Sequence, residues 1–118
     1  MKTTFSSIIK SLTLLTTLSI IAFAGETVKE TEFKVSGNCG MCKSRIEKSM
    51  KIKEVKMAKW DKSSKMLKIA YRSDKISLDS LQQRIASVGH DTEKFKTDST
   101  TYTNLPGCCL YRDGVSEH

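Results

Sequence analysis

The sequence contains little proline, little arginine and few aromatic residues. Its 118 residues include one proline, four arginines and 7% aromatic side chains, and its formal net charge is +7. Most of the basic residues are lysines that are scattered among glutamate and aspartate. Proteins that bind nucleic acids more often cluster arginine with exposed aromatic side chains. We therefore predict no nucleic-acid partner, and a solvated basic surface that attracts an acidic protein domain.

Long apolar runs are also missing after the first 24 residues. Lys2 and Lys10 precede a moderately apolar stretch that ends in Ala22-Phe23-Ala24, a layout typical of a secretory signal peptide. As a helix this stretch would reach about 21 Å, which is short of a ~30 Å hydrocarbon core. We predict a signal peptide at residues 1–24, a periplasmic or secreted location and no stable membrane insertion after cleavage. An uncleaved anchor is the alternative.

Hydrophobic periodicity organises residues 28–97 into six elements. Alternation predicts strands at 28–36, 55–60 and 66–72, and a weak, polar edge strand at 91–96. Cys42, Ile46 and Met50 recur every four residues and predict a first helix that ends near Ile52. Ser77 is a good N-cap for a second helix, and Gly89 stands where its end favours positive φ.

The order β-α-β-β-α-β predicts an α+β fold. Two helices with single apolar stripes must share one face of an antiparallel sheet, which gives a ferredoxin-like two-layer sandwich over residues 28–97. Residues 98–118 lose this periodicity and carry Pro106-Gly107-Cys108-Cys109. We predict an irregular C-terminal tail that docks on the domain through Leu105, Pro106 and Leu110, with Tyr102 and Tyr111 as half-buried anchors.

A Cys-x-x-Cys pair, Cys39 and Cys42, stands at the turn from the first strand into the first helix. Helix N–H groups favour thiolate over thiol there, and a loop can hold both sulfurs outward. Two soft thiolates suit copper(I), whereas structural zinc normally takes four ligands. A redox pair and a structural disulfide are the alternatives. A thioredoxin-like redox fold starts β-α-β and usually has a cis-proline near the site, but Pro106 lies in the tail.

The segment FKVSGNCGMCKSRIE, residues 33–47, together with the predicted element order, resembles the heavy-metal-associated domain family. That family includes copper chaperones, N-terminal domains of copper-transporting P-type ATPases and exported mercury-binding proteins. The resemblance implies that Cys39 and Cys42 are metal ligands and that the ion passes by ligand exchange to or from another protein, such as a metal transporter domain. One departure is Ser36-Gly37-Asn38, where the family usually has Gly-Met-Thr.

From these residues and this resemblance we predict a metallochaperone-like protein that binds and transfers a soft ion and is not an enzyme. Copper(I) is the predicted ion, with mercury(II), silver(I) and zinc(II) as further candidates. Mercury(II) sequestration is an alternative function. Another is a thiol–disulfide oxidoreductase that uses Cys39 and Cys42, with Cys108 or Cys109 as the resolving thiol.

Three further residues are candidate ligands. His90 follows the second helix, at the end of the sheet where the Cys39 loop lies. It is a third, labile ligand, a source of local positive charge when protonated, or an exposed histidine without a role. Cys108 and Cys109 can reach the same loop along the tail. They add ligands to the ion, form disulfides with Cys39, Cys42 or another chain, or bind a separate ion or have no chemical role. Met41 is expected to point into the domain, and we do not predict it as a ligand.

Overall fold

The computed structural model describes residues 27–113, and an antiparallel sheet of three strands lies at its centre. The strands are β1 (Val28–Lys34), β2 (Val55–Trp60) and β3 (Met66–Arg72), with β3 in the middle. Phe33 of β1 and Trp60 of β2 both lie opposite Leu67. Within residues 27–113 no helix is long and apolar enough to cross a bilayer. The predicted signal peptide, residues 1–24, lies outside the described residues.

The two main helices match the sequence prediction. They are α1 (Gly40–Ser49) and α2 (Leu78–Ser87). Ser77 caps α2, its side chain accepting a 3.1 Å hydrogen bond from the backbone N–H of Ser80. Gly89 follows the helix with a φ of 110°, and a Cβ there would lie 2.6 Å from Leu105 Cδ2. The helices bury Ile46, Leu81 and Ile85 in one core with Phe33, Trp60, Leu67 and Ile69 of the sheet.

The predicted fourth strand at residues 91–96 is wrong. Among the described residues this segment makes only an isolated bridge, between Val35 and Thr92. The backbone N–H of Thr92 donates to the carbonyl of Phe95 (2.8 Å), and the N–H of Phe95 donates to the Thr92 hydroxyl (3.0 Å). These local hydrogen bonds compete with a sheet ladder and turn the chain back on itself. The carboxylate of Glu93 instead accepts the N–H of Lys34 at the edge of β1 (3.0 Å).

The tail also differs from the predicted irregular segment. It contains a short helix α3 (Ser99–Thr103), capped by Asp98, and two 3-10 turns, Gly107–Cys109 and Tyr111–Asp113. Tyr102, Leu105 and Cys109 are buried in the core formed by the sheet and helices, so the predicted docking is confirmed. Because residues 91–97 turn back, the tail begins beside Asp91, whose side chain accepts the N–H of Thr97 (2.8 Å).

Candidate metal centre

The Cys-x-x-Cys pair is positioned by the start of α1. Cys39 is the N-cap residue of the helix and Cys42 lies in its first turn, which brings the two Sγ atoms to 3.5 Å. The backbone N–H of Asn38 lies 3.4 Å from Cys42 Sγ. We expected both sulfurs to face outward. Instead Cys39 is 4% exposed and Cys42 is fully buried in the core.

The tail places its own two thiols on this pair. Cys108 Sγ lies 2.8 Å from Cys39 Sγ, and Cys109 Sγ lies 2.6 Å from Cys42 Sγ and 3.5 Å from Cys39 Sγ. The Sγ atoms of Cys108 and Cys109 are 3.9 Å apart. All four cysteines are free thiols. We refer to Cys39, Cys42, Cys108 and Cys109 together as the four-thiol cluster.

The spacing of Cys39, Cys108 and Cys109 suits a single sulfur-bound ion, and Cys42 and Cys108 have to approach one another for all four sulfurs to bind it. Four sulfurs that each lie about 2.3 Å from a tetrahedral ion are about 3.8 Å from one another. The 3.5, 3.5 and 3.9 Å separations are close to this value. The two shorter separations have to widen by about 1 Å around such an ion. Cys39, Cys108 and Cys109 already present sulfurs that all lie within 4.8 Å of one another.

Neighbouring groups set the ionisation of the thiols. Burial raises the pKa of Cys39, but hydrogen bonds to its thiolate from Cys108, the backbone N–H of Cys42 and the other thiols outweigh burial and lower the pKa from 9.0 to about 7. The pKa of Cys108 is raised, chiefly because its proton is held by Cys39, and that of Cys109 is raised by burial and by Cys42. Of Cys39, Cys108 and Cys109, Cys39 is therefore the thiol that ionises most readily.

Arg45 is a residue of this site that the sequence analysis missed. One of its guanidinium nitrogens lies 3.4 Å from Cys109 Sγ. A thiolate-bound ion accumulates negative charge, and a fixed guanidinium nearby compensates for it. Arg45 follows Cys42 by three positions on α1, and this spacing puts both side chains on one face of the helix. That spacing is the signal that could have identified it.

Trp60 supports the loop in place of the methionine that the family usually has. Gly37 occupies the position of that methionine, and a Cβ on Gly37 would lie 3.0 Å from both the Trp60 ring and Cys42 Cβ. The indole N–H of Trp60 donates to the carbonyl of Val35 (3.0 Å). Because Gly37 has no side chain, the Trp60 ring can pack directly against it. The loop is therefore closely packed although it lacks the methionine of the family pattern.

His90 is buried rather than exposed, and it is not one of the residues whose ligand atoms come together in the cluster. Its Nδ1 lies 2.8 Å from the carbonyl oxygen of Ser36, and its ring stacks on Tyr111 with centroids 5.6 Å apart. Burial lowers the pKa of His90 from 6.5 to about 4, with a smaller lowering from Arg45. At neutral pH the ring is therefore uncharged and cannot supply the positive charge that a protonated histidine would bring.

Met41 lies on the outside of the loop, so the expectation that it points into the domain is wrong. Its side chain is 52% exposed, and its Sδ is 3.6 Å from Cys108 Sγ. The physical reason is that Met41 lies between two buried thiols at the helix start, where successive side chains point in different directions. A thioether and a partly exposed thiol therefore form the solvent-facing edge of the cluster.

Comparison with solved structures identifies the fold. A CopZ metallochaperone is 24% identical, with a TM-score of 0.52, over 54% of this chain and 98% of its own. The N-terminal domain of a potential copper-translocating P-type ATPase from Bacillus subtilis, in its Cu(I)-loaded state, is 25% identical, with a TM-score of 0.53, over 56% of this chain and 85% of its own.

A longer match is the water-soluble region of the P-type ATPase CopA from Bacillus subtilis, at 26% identity and a TM-score of 0.54. The match covers 58% of this chain and 46% of the solved water-soluble region. No sequence family and no curated protein matches the chain. These structural neighbours are heavy-metal-associated domains, and the likeness to them confirms the resemblance that residues 33–47 indicate.

Proposed function

We propose that this protein binds copper(I) at Cys39 and Cys42 and transfers it to or from another protein without catalysing a reaction. The four-thiol cluster is the observation that supports this function, because Cys39 and Cys42 Sγ lie 3.5 Å apart at a helix start and each has a tail sulfur within 2.8 Å. Thiolates are soft ligands that favour copper(I). The lowered pKa of Cys39, about 7, provides a thiolate to begin binding near neutral pH.

The structural neighbours support copper(I) as the ion and a metal transporter domain as the partner. Their names describe a metallochaperone and domains of copper-translocating ATPases. For this chain we propose transfer between its thiols and the thiols of a transporter domain of similar fold. The formal net charge is +7 for the full chain and falls to +5 when Lys2 and Lys10 are removed with residues 1–24, and it favours encounter with an acidic partner surface.

We also propose that the protein acts outside the cytoplasm. The support is the sequence of residues 1–24, with its basic start, apolar middle and Ala22-Phe23-Ala24 end. The mass of the protein recovered from an extracytoplasmic fraction tests this, with cleavage after Ala24 as the expected result. Recovery only of full-length chain in the cytoplasm would contradict the proposed location.

Anaerobic titration of the reduced protein with copper(I), against a competing chelator, tests the function. We expect a defined stoichiometry with tight binding. The Cys39→Ser/Cys42→Ser variant lacks both primary ligands and should bind copper(I) more than roughly 100-fold more weakly. The loss of a single outer-shell contact at a metal site already costs up to about 100-fold. Met57→Leu is the matched control, because it removes an exposed sulfur from β2 and should leave binding unchanged.

The same protein distinguishes the alternative functions. Competition with mercury(II) and zinc(II) in that titration ranks the ions, and preference for mercury(II) would replace copper(I) as the proposed cargo. Turnover of a disulfide substrate by the metal-free protein, lost in Cys39→Ser, would favour an oxidoreductase. We expect no such turnover.

A further inference from the structure

The tail blocks the route by which an ion would leave the Cys39–Cys42 pair. Both sulfurs are buried, and Cys108 and Cys109 lie directly on them. Transfer by ligand exchange requires an incoming ligand to reach the ion while the first ligands still hold it. Contact of a partner with Cys39 or Cys42 therefore requires the tail to move.

A specific set of polar contacts holds the tail in place. We call residues 106–113 the strap. The Tyr111 hydroxyl donates to the carbonyl of Gly89 (2.7 Å) and accepts the N–H of Asp91 (2.9 Å). Two guanidinium nitrogens of Arg112 bind the two carboxylate oxygens of Asp91 at 2.6 and 3.0 Å, and one also donates to the carbonyl of Thr97 at 2.9 Å. Paired charge-assisted hydrogen bonds of this kind are strong and directional.

The two ends of the strap are held differently. Leu105, which precedes it, is buried against Gly89, whereas Arg112, near its other end, keeps about a third of its side chain exposed. Between them, Gly107 has no atom within 4 Å of where its Cβ would lie. Gly107 and Arg112 are thus the less enclosed parts of the strap, whereas Cys109 between them is fully buried.

We propose that the strap adds the Cys108 and Cys109 thiolates to the ion held by Cys39 and Cys42, and that it must detach before the ion passes to an acceptor. This inference rests on the proposed function. The loaded and strapped form is a closed sulfur site that retains its cargo. The form with the strap lifted is a two-sulfur site that a partner can reach.

The exchange of thiolate ligands on copper(I) leaves the oxidation states of copper and sulfur unchanged. When the strap closes on the ion, Cys108 and Cys109 each form a sulfur–copper bond and release a proton to water. When it lifts, those two bonds break, each thiolate takes up a proton, and thiolates of the acceptor take their place. The tethered thiols bind at high effective concentration, so an acceptor must offer at least two soft ligands to compete.

An acceptor would first contact the solvent-facing edge of the cluster, which Cys108 and Met41 form. Cys108 is the only partly exposed thiol among the four cysteines, all of which are described, and exposed Met41 lies beside it. A partner sulfur that reaches the Cys108 and Met41 edge meets the strap before it meets Cys39. This order of contact favours stepwise replacement of the strap thiols.

The first test uses the unmodified chain. X-ray absorption at the copper edge of the Cu(I)-loaded protein counts the sulfur atoms bound to the ion. We expect three or four sulfurs at the distances of a three- or four-coordinate site. Two sulfurs in a linear site would overturn the strap proposal and leave copper binding by Cys39 and Cys42 intact.

The second test follows transfer of copper(I) from the loaded protein to excess bathocuproine disulfonate. A Cys108→Ser/Cys109→Ser variant should still bind copper(I) but release it at least roughly tenfold faster. Arg112→Gln keeps all four thiols and removes the paired bond to Asp91, so it should release the ion several-fold faster, in line with the usual strength of such bonds.

Arg84→Gln is the matched control, because Arg84 binds the carbonyl of Ser49 at the other end of α1, and its release rate should equal that of the unmodified protein. Unchanged release in the Cys108→Ser/Cys109→Ser variant overturns the ligand role of the strap. Unchanged release in Arg112→Gln, with faster release in the cysteine variant, overturns the need for the strap to detach. If no form of the protein retains copper(I), the proposed function itself fails.

Discussion

At the scale of single residues, the packing of Gly37 against Trp60 and Cys42 decides how firmly the metal loop is built. Gly37→Ala would place a Cβ 3.0 Å from both neighbours. We expect the free energy of unfolding to fall by about 1–3 kcal/mol, the usual cost of overpacking a core, in urea denaturation of the reduced, metal-free protein.

Gly40→Ala is the control for this substitution, because a Cβ at Gly40 meets nothing within 4 Å. Gly40 begins α1, where alanine favours the helix. The free energy of unfolding of the Gly40→Ala variant should be unchanged or slightly higher. Equal stability of the two alanine variants would show that the loop does not depend on close packing at Gly37.

At the scale of elements, the tail is part of the folded core. Residues 99–109 bury Tyr102, Leu105 and Cys109 among the side chains of the sheet and helices. Ending the chain after Thr97 should lower the free energy of unfolding by about 5 kcal/mol or more, because each large buried side chain contributes about 2–4 kcal/mol in a domain of only 5–15 kcal/mol total stability.

Chemical denaturation under reducing, metal-free conditions measures this loss. A chain that ends after Asp113 is the matched control and should unfold like the full-length protein, because it keeps every contact described for the tail. Identical unfolding midpoints for the two truncations would contradict the packing of the tail and would remove the support for the strap.

At the scale of the whole molecule, stability should depend on pH through His90. Its pKa is about 4 in the folded protein and 6.5 when it is unperturbed, so between these values the unfolded chain binds the extra proton. Stability is therefore complete above pH 6.5 and falls as pH drops toward 4, by on the order of 3 kcal/mol. The groups that face the ring are Ser36, Tyr111, Arg45 and Asp91.

His90→Asn tests this pH dependence, because asparagine can donate to the Ser36 carbonyl but does not titrate. We expect urea unfolding of this variant to vary much less between pH 6.5 and 4 than that of the unmodified protein. Asp91 affects stability at lower pH. Burial raises the pKa of its carboxyl group, but hydrogen bonds from Arg112 and Thr97 outweigh burial and lower the pKa below 3.8. Its contribution to stability is therefore lost only under more acidic conditions. The same slope in both proteins would show that His90 is not the group responsible.

The sequence by itself determined the first five elements and the placement of Cys39 and Cys42 where a strand gives way to a helix. Periodicity fixes which faces of β1, α1, β3 and α2 are apolar, and local rules place the Ser77 cap and the positive φ of Gly89. These features depend on residues within a few positions of one another.

The tertiary structure alone decided what happens at residues 91–97 and in the tail. Thr92 and Asp91 engage in turn contacts instead of a strand, His90 is enclosed by Ser36 and Tyr111, and the strap thiols cover Cys39 and Cys42. Cys39 and Cys108 are 69 positions apart. Contacts at that separation leave no periodic trace in the sequence, because they depend on how packed elements meet and not on any local preference of the chain.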